Sequence, residues 1–273
     1  CYLHILFYFE CPQNPSYILE AQTWFHDPLS KIEAHLFSLP APKRCRVFLA
    51  GANPFALKSK RLLEIAGLIY KHFPTCKTIG CFARVTDVTS KTDEELAALR
   101  EAGYTGLTIG IETGYDKALA FMNKGYAAQD IVAQCARLDA ADIAYAFFYL
   151  AGISGKGHGI EGARLTAAVC NQTRPSLIGA NILTIYKNSE LYQEILAGNW
   201  EEETEIEKYQ EIKALVEDLE IPVEYAMLGA SNPVMMQGRL PEQRTQIIAA
   251  LDRVIEEIGE DRLRHYRTNL KHL

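Results

Sequence analysis

A helix, a glycine, a strand and an acidic residue follow one another between residues 92 and 114. The segment Thr92-Asp93-Glu94-Glu95 has the pattern of a capping box, which predicts the start of a helix that ends near Gly103. Over residues 105–111, apolar side chains alternate with small or polar ones, which predicts a strand with Glu112 at its carboxyl end. This order is half of a repeating β/α unit, and the carboxyl ends of the strands carry the chemistry in such folds. Glu112 is therefore the first candidate functional residue.

Strand signals recur along the chain, with helices between them. The predicted strands cover residues 16–22, 46–50, 78–83, 107–111, 144–150 and 177–183, and the predicted helices cover residues 27–36, 62–72, 92–102, 128–141 and 160–170. The last two strands are nearly continuous apolar runs, which are typical of a parallel sheet covered on both faces. Beyond Ser189 the pattern becomes helical.

This alternation predicts the fold class α/β, and its six β/α units indicate a partial (β/α)6 TIM-like barrel of parallel strands. We expect residues 1–200 to form this core and residues 201–273 to form a helical C-terminal extension packed on it. A doubly wound parallel sheet is the structural alternative. Neither a Gly-x-Gly-x-x-Gly motif nor a P-loop follows any predicted strand, so a dinucleotide or ATP site of the usual kind is not expected.

The composition restricts the possible partners. The chain has 273 residues, 48% of them apolar and 23% charged, which is the profile of a globular protein with a sizeable core. Its net charge is −6 and it has no dense run of Lys or Arg, so nothing favours a nucleic-acid partner. The apolar run over residues 3–9 is too short to span a bilayer and has no signal-peptide flanks. We therefore expect a cytoplasmic protein without a membrane partner.

The seven cysteines do not predict a metal site by their spacing. They are scattered over the chain at Cys1, Cys11, Cys45, Cys76, Cys81, Cys135 and Cys170, and no pair has the two-residue spacing of metal ligands. Four of them lie beside apolar residues, so we interpret Cys45, Cys81, Cys135 and Cys170 as small buried hydrophobic residues. Cys76 and Cys81 flank a predicted strand, whose four intervening residues would hold the thiolates far apart.

Four predicted strands end in groups that could contact a ligand. These ends are Gly51-Ala52-Asn53-Pro54, Arg84, Glu112-Thr113-Gly114 and Gly152-Ile153-Ser154-Gly155. For each glycine, ordinary turn chemistry is the alternative. For Arg84 and Glu112, the alternative is a salt bridge between neighbouring loops. Because the carboxyl ends of parallel strands meet at one edge, we expect these residues to converge on one cavity: Gly51, Asn53, Arg84, Glu112 and Gly152.

The order of these motifs resembles the core of radical S-adenosylmethionine (SAM) enzymes, in particular the branch that includes oxygen-independent coproporphyrinogen III oxidase. Gly110-Ile111-Glu112-Thr113-Gly114 matches the Gly-Leu-Glu-Ser/Thr-Gly element of that family, and Met122-Asn123-Lys124-Gly125 matches its Asn-Lys-Gly element. The resemblance covers about residues 16–200. It implies that the turn at residues 51–54 binds the methionine end of SAM and that the strand end at residues 150–155 contacts the adenine.

The resemblance also implies individual roles. Glu112 would bind the amino group or the ribose of SAM, and Arg84 would pair with its carboxylate, which suits a planar guanidinium. Lys124 is a weaker candidate, and we interpret it as a solvated side chain. The complete set of residues expected to bind the cofactor is Gly51, Ala52, Asn53, Arg84, Glu112, Thr113, Gly152 and Ile153.

One part of the family pattern is missing. Radical SAM enzymes bind a 4Fe–4S cluster through Cys-x-x-x-Cys-x-x-Cys, and this chain has no such triplet. By resemblance, the cluster loop should lie between Thr23 and Trp24, where only a short link precedes the next helix. Either a loop is missing from the printed sequence at this point, or the protein has lost its cluster and uses the barrel as a binding module. We expect the first, and therefore a break in the chain near Thr23.

With a cluster, the resemblance implies an iron–sulfur, metal-binding enzyme of the oxidoreductase or transferase kind. The reduced 4Fe–4S cluster would cleave SAM to a 5′-deoxyadenosyl radical, which would abstract hydrogen from an unidentified small-molecule substrate. An electron donor such as flavodoxin or ferredoxin would be its partner. A cluster-free SAM-fold binding or scaffold protein is the first alternative. A barrel lyase or aldolase with a Schiff-base lysine is the second, although Lys77 and Lys187 do not lie inside an apolar strand end.

Overall fold

The computed structural model describes residues 2–11, 14–24, 28–37, 45–51 and 53–270. The chain divides into two compact units, one made of residues 1–110 and 136–145 and the other of residues 111–135 and 146–273. Each helix of the described residues is too short or too polar to cross a bilayer. The architecture is α/β, with mostly parallel strands that alternate with helices, so the predicted fold class is confirmed.

Among the described residues, five strands and four helices lie wholly or mostly in the first unit. Its strands are β1 (Tyr2–Cys11), β2 (Asn14–Trp24), β3 (Cys45–Gly51), β4 (Cys76–Arg84) and β5 (Tyr104–Glu112), the last of which ends in the second unit. Its helices are α1 (Leu29–Phe37), α2 (Ser59–His72), α3 (Val85–Thr89) and α4 (Asp93–Glu101), with a 3-10 turn at Pro54–Ala56. The strand order is β2-β1-β3-β4-β5, and β3, β4 and β5 pair in parallel.

The N-terminal hairpin departs from the predicted run of six parallel strands. Strand β1 lies between β2 and β3 and is antiparallel to both. Its sequence shows only an apolar run, because no local pattern indicates where a strand inserts in a sheet. Thr23 and Trp24 are consecutive residues of β2 and lie opposite Leu3 and Tyr2. The hairpin therefore continues without interruption across the position expected for the cluster loop.

The second unit adds four strands and most of the later helices. Its elements are α5 (Asp116–Phe121), α6 (Ala128–Ala140), β6 (Ala144–Ala151), α7 (Gly159–Cys170), β7 (Leu177–Ile182), α8 (Glu190–Leu196), α9 (Glu205–Asp218), β8 (Val223–Met227), β9 (Met236–Leu240), α10 (Arg244–Arg253) and α11 (Glu260–Thr268), with a π-helical turn at Val254–Ile258; α6 and β6 each have residues in both units. The strand order is β6-β7-β8-β9, with β9 antiparallel to β8. The expected helical extension thus also contains two strands, and its boundary at residue 200 stays a prediction.

Two local predictions around β5 are confirmed. The side chain of Thr92 accepts a hydrogen bond from the Glu95 amide, and the Glu95 carboxylate accepts one from the Thr92 amide, so the capping box begins α4. In β5, the alternating residues Leu107, Ile109 and Ile111 are buried. Burial of each such side chain contributes about 1.5–3 kcal/mol, so this alternation fixes which face of the strand packs on the core and leaves Glu112 at its end.

Candidate functional site at the strand ends

Glu112, the last residue of β5, has an unusual backbone conformation. Its φ is 60°, in the left-handed region that non-glycine residues seldom adopt. Such a conformation costs about 1–3 kcal/mol and is concentrated at functional sites. The Glu112 carboxylate lies 3.3 Å from the Nζ atom of Lys124, and its side chain is 24% exposed. A charged acceptor is thus held at the end of β5 where solvent and a ligand can reach it.

The segment that follows α5 turns back to the end of β5. The Tyr126 hydroxyl donates a 3.0 Å hydrogen bond to the carbonyl oxygen of Ile111. Burial raises the pKa of Tyr126, and the Glu112 charge raises it further, so the phenol keeps its proton. Asn123 and Gly125, on either side of Lys124, both have positive φ. Lys124 is therefore held against Glu112, which differs from the solvated side chain expected from the sequence.

The turn after Glu112 is fixed by packing on α7. Thr113 is fully buried, and its hydroxyl lies 3.2 Å from the hydroxyl of Thr166. The Gly114 amide donates a 2.7 Å hydrogen bond to the same Thr166 hydroxyl. A Cβ atom at Gly114 would lie 2.8 Å from the carbonyl oxygen of Leu165. Contacts inside the protein thus account for Thr113 and Gly114, and the binding role of Thr113 stays a prediction.

The residue after β6, Gly152, is held by a buried carboxylate of α9. Its φ is 89°, and its amide donates a 2.7 Å hydrogen bond to Oε2 of Glu211. The Tyr149 hydroxyl donates to the other oxygen of the same carboxylate. A Cβ atom at Gly152 would lie 3.1 Å from Cε of Lys208, so glycine is required both by the conformation and by the close approach of α9. Ile153, which follows, is buried.

Glu211 forms a pair with a second buried acid, Glu203. The two carboxyl groups are neighbours, because a Cβ atom at Gly159 would lie 2.1 Å from Oε1 of Glu203 and 2.9 Å from Oε2 of Glu211, and Glu203 is only 2% exposed. Burial, together with the adjacent Glu211, raises the pKa of Glu203 to about 10, and burial also raises the pKa of Glu211. At neutral pH Glu203 therefore keeps its proton. The absence of a side chain at Gly159, the first residue of α7, leaves room for the two carboxyl groups.

In the first unit, a different carboxylate organises the ends of β3 and β4. Asp87 of α3 accepts hydrogen bonds from the Arg84 amide at 2.7 Å and from Nη2 of Arg84 at 3.1 Å. It also accepts a 2.5 Å hydrogen bond from Nδ2 of Asn53. The side-chain oxygen of Asn53, Oδ1, is buried and has no hydrogen-bond partner among the described residues. Gly51 has a φ of 98°, and Ala52 lies outside the described residues.

The sequence identified Asn53, Arg84, Glu112 and Gly152 as candidates, and the structure gives a partner to each. It missed the residues that hold them. Asp87 lies three residues after Arg84, so a local sequence pattern could have indicated this ion pair. Glu203 and Glu211 are far from Gly152 in the chain, and no local pattern connects them. It stays a prediction that one ligand contacts Gly51, Asn53, Arg84, Glu112 and Gly152.

The described residues do not fit a 4Fe–4S cluster. Within them, no group of three or more His, Cys, Asp or Glu side chains could hold a metal ion. Among the described residues, four buried cysteines lie outside any disulfide, namely Cys76, Cys81, Cys135 and Cys170. Burial raises the pKa of both Cys81 and Cys170, which disfavours the thiolate that a metal requires. For Cys81, Cys135 and Cys170 the interpretation as buried hydrophobic residues is confirmed, whereas the side chain of Cys45 lies outside the described part.

The fold is similar to that of known structures. The archaeal Methanocaldococcus infernus Elp3 with an N-terminal deletion matches 73% of this chain and 52% of its own, with a TM-score of 0.54 and 12% identity. This chain thus spans about half of that structure. At such identity the likeness shows the fold alone.

Two further structures match more weakly, and the description of the fold does not depend on them. Coproporphyrinogen III oxidase (HemN) from Escherichia coli, a radical SAM enzyme, has a TM-score of 0.44 at 13% identity over 50% of this chain and 31% of that one. The radical SAM methyltransferase TsrM from Kitasatospora setae, with cobalamin and a [4Fe-4S] cluster bound, has a TM-score of 0.48 at 16% identity over 66% and 32%. No protein-family model and no curated protein matches the chain.

Proposed function

We propose that this chain is the core of a radical SAM enzyme and that Glu112 binds the ammonium group of SAM. The observation that carries the proposal is Glu112 itself, a part-exposed carboxylate in a left-handed conformation at the end of a parallel strand. The motif at residues 110–114 and the fold similarity to the Elp3 structure support it. The branch, the substrate and the flavodoxin or ferredoxin donor stay predictions.

Within the second unit, the residues present suit the two ends of SAM. Glu112 and Lys124 place an anion and a cation 3.3 Å apart, which complements the ammonium and carboxylate groups of an amino acid. Gly152 and Ile153 carry no polar side chain, which suits an adenine ring, and both are buried, so their contact with the ring stays a prediction. Gly51, Asn53 and Arg84 of the first unit stay predicted SAM ligands.

Reductive cleavage of SAM would require a 4Fe–4S cluster. Because the described residues contain no ligand set for a metal, the reductive cleavage of SAM stays a prediction. A cluster-free SAM-binding protein is the second candidate function, and it is favoured by the absence of a Cys-x-x-x-Cys-x-x-Cys triplet from the sequence. Anaerobic reconstitution with iron and sulfide separates the two, since the enzyme would acquire a cluster and cleave SAM, whereas the binding protein would do neither. Lys77 and Lys187 are exposed, so their surroundings do not favour a Schiff-base lyase.

Calorimetric titration with SAM tests the role of Glu112. The Glu112→Gln variant keeps the shape of the side chain and removes its charge, so we expect the affinity for SAM to fall about tenfold, or about 1.4 kcal/mol. Glu242→Gln, which removes the charge of an exposed glutamate, is the matched control and should bind SAM like the wild type. Equal affinities in all three proteins would contradict the assignment of Glu112.

A further inference from the structure

The turn between β6 and α7 is held from one side by the start of α9 and the segment before it. The Gly152 amide donates to Glu211, and the Lys156 amide donates to the carbonyl oxygen of Glu201 at 2.9 Å. A Cβ atom at Gly155 would lie 2.8 Å from Nε1 of Trp200. The conformation of this turn therefore depends on residues 200–211 as well as on its own glycines.

Glu211 is the centre of this support. It is fully buried on α9, and its two oxygens accept hydrogen bonds from two different points of the end of β6, the Tyr149 hydroxyl and the Gly152 amide. A carboxylate can only accept hydrogen bonds, so the orientation of the Gly152 amide is fixed towards α9. Glu203 lies beside Glu211 and keeps its proton at neutral pH, so the buried Glu211 carboxylate does not face a second negative charge.

We propose that Glu211 is a positioning residue for the adenosine-binding strand end: it orients the Gly152 amide and thereby the turn at residues 152–154, with Glu203 as its buried neighbour. This inference rests on the proposed function, because SAM is the ligand assigned to that strand end. Glu211 has no exposed surface, so it acts on the ligand only through Gly152 and its neighbours.

A general loss of stability is the competing explanation for any effect of a Glu211 variant. Glu205 provides a matched control, because it is also a fully buried acid of α9. Its carboxylate pairs with Lys208 at 3.3 Å and with Arg264 at 3.2 Å rather than with the end of β6. A Glu205→Gln variant should therefore lower stability and leave the Gly152 turn in place.

The experiment uses the full chain with two probes, SAM and 5′-methylthioadenosine, which has the adenosine part of SAM without its amino acid. Glu211→Leu removes both acceptor oxygens, and we expect the affinity for both probes to fall about tenfold at a temperature where the variant is folded. Glu211→Gln keeps an acceptor for the Gly152 amide and should bind both probes within about threefold of the wild type. Glu205→Gln should bind both like the wild type.

Hydrogen exchange of the Gly152 amide gives a readout that does not need a ligand. It should become faster in Glu211→Leu and stay slow in Glu211→Gln and Glu205→Gln. If Glu211→Leu does not fold, Tyr149→Phe replaces it; this variant removes one donor to Glu211 and should weaken 5′-methylthioadenosine binding about threefold.

Three results would overturn the positioning role: wild-type affinity in Glu211→Leu, wild-type affinity in its replacement Tyr149→Phe, or an equal loss in Glu205→Gln. A wild-type chain that binds neither probe would instead overturn the proposed function. In that case the exchange rate of the Gly152 amide tests the positioning role. Unchanged exchange in Glu211→Leu, or in Tyr149→Phe if that variant replaces it, contradicts the role. Faster exchange supports it.

Discussion

Asp87 in the first unit and Glu211 in the second do the same task by different means. Each is a buried carboxylate that accepts a backbone N–H at a strand end, from Arg84 in one case and from Gly152 in the other. Asp87 is paired with the guanidinium of Arg84, a neighbour in sequence whose side chain is 63% exposed. Glu211 instead lies beside a second acid, Glu203, which holds a proton at neutral pH. An arginine keeps its charge at any ordinary pH, whereas the proton of Glu203 can be lost. The two strand ends should therefore differ in their response to pH and to truncation.

The largest expected effect is a loss of stability at alkaline pH that originates from the Glu203–Glu211 pair. Glu203 keeps its proton up to about pH 10 in the folded state and loses it near pH 4.5 when unfolded. Unfolding between these values releases a proton, so rising pH favours unfolding, by at most about 1.4 kcal/mol per pH unit. Urea unfolding at pH 6 and pH 9 measures the effect. Glu203→Gln has no titrating proton at this position and should flatten the profile. Parallel profiles in the two proteins would show that this pair does not titrate as described.

Truncation of each carboxylate gives the next largest effect. Glu211→Ala leaves the Gly152 amide and the Tyr149 hydroxyl without an acceptor in a buried site, so we expect a loss of about 3 kcal/mol in the free energy of unfolding. Asp87→Ala removes a helix-capping carboxylate beside the Arg84 side chain, which is 63% exposed, so water can reach part of the vacated site and the cost should be about 1 kcal/mol. Urea unfolding of both variants at pH 7 makes the comparison. Equal losses, or a larger loss for Asp87→Ala, would remove the proposed difference between the two strand ends.

The smallest effect is expected for Arg84→Gln. Its guanidinium is mostly exposed, and exposed ion pairs contribute only about 0–1 kcal/mol. The loss of stability should therefore stay below about 1 kcal/mol and shrink further at high salt, because salt screens exposed charges. Thermal unfolding at low and high salt tests this. A large, salt-independent loss would mean that the Asp87 site is as closed as the Glu211 site.

The parts of the fold that could be predicted from the sequence depend on neighbours along the chain. The capping box of α4 joins residues three positions apart, and the alternation in β5 has a period of two, so both are visible in a short window. The same short-range alternation predicts that Glu112 lies at the end of a strand. Arg84 and Asp87 are also three positions apart, so their interaction could have been predicted from the sequence as well.

The parts that could not be predicted depend on distant contacts. The Gly152 amide and Glu211 are 59 positions apart, and no pattern in either segment identifies the other. Lys124 reaches Glu112 only because the turn with positive φ at Asn123 and Gly125 brings the chain back. Strand β1 lies between β2 and β3 because of pairing over the whole hairpin, which its apolar sequence alone does not specify.

The central claim is that the end of β5 binds the amino-acid part of SAM through Glu112, and a crystal structure of the protein with SAM tests it most directly. The account predicts the ammonium nitrogen of SAM at hydrogen-bond distance, about 3 Å, from the Glu112 carboxylate, with Glu112 still in its left-handed conformation. SAM bound elsewhere, with the carboxylate of Glu112 still engaged by Lys124 and in contact with no ligand atom, would contradict it.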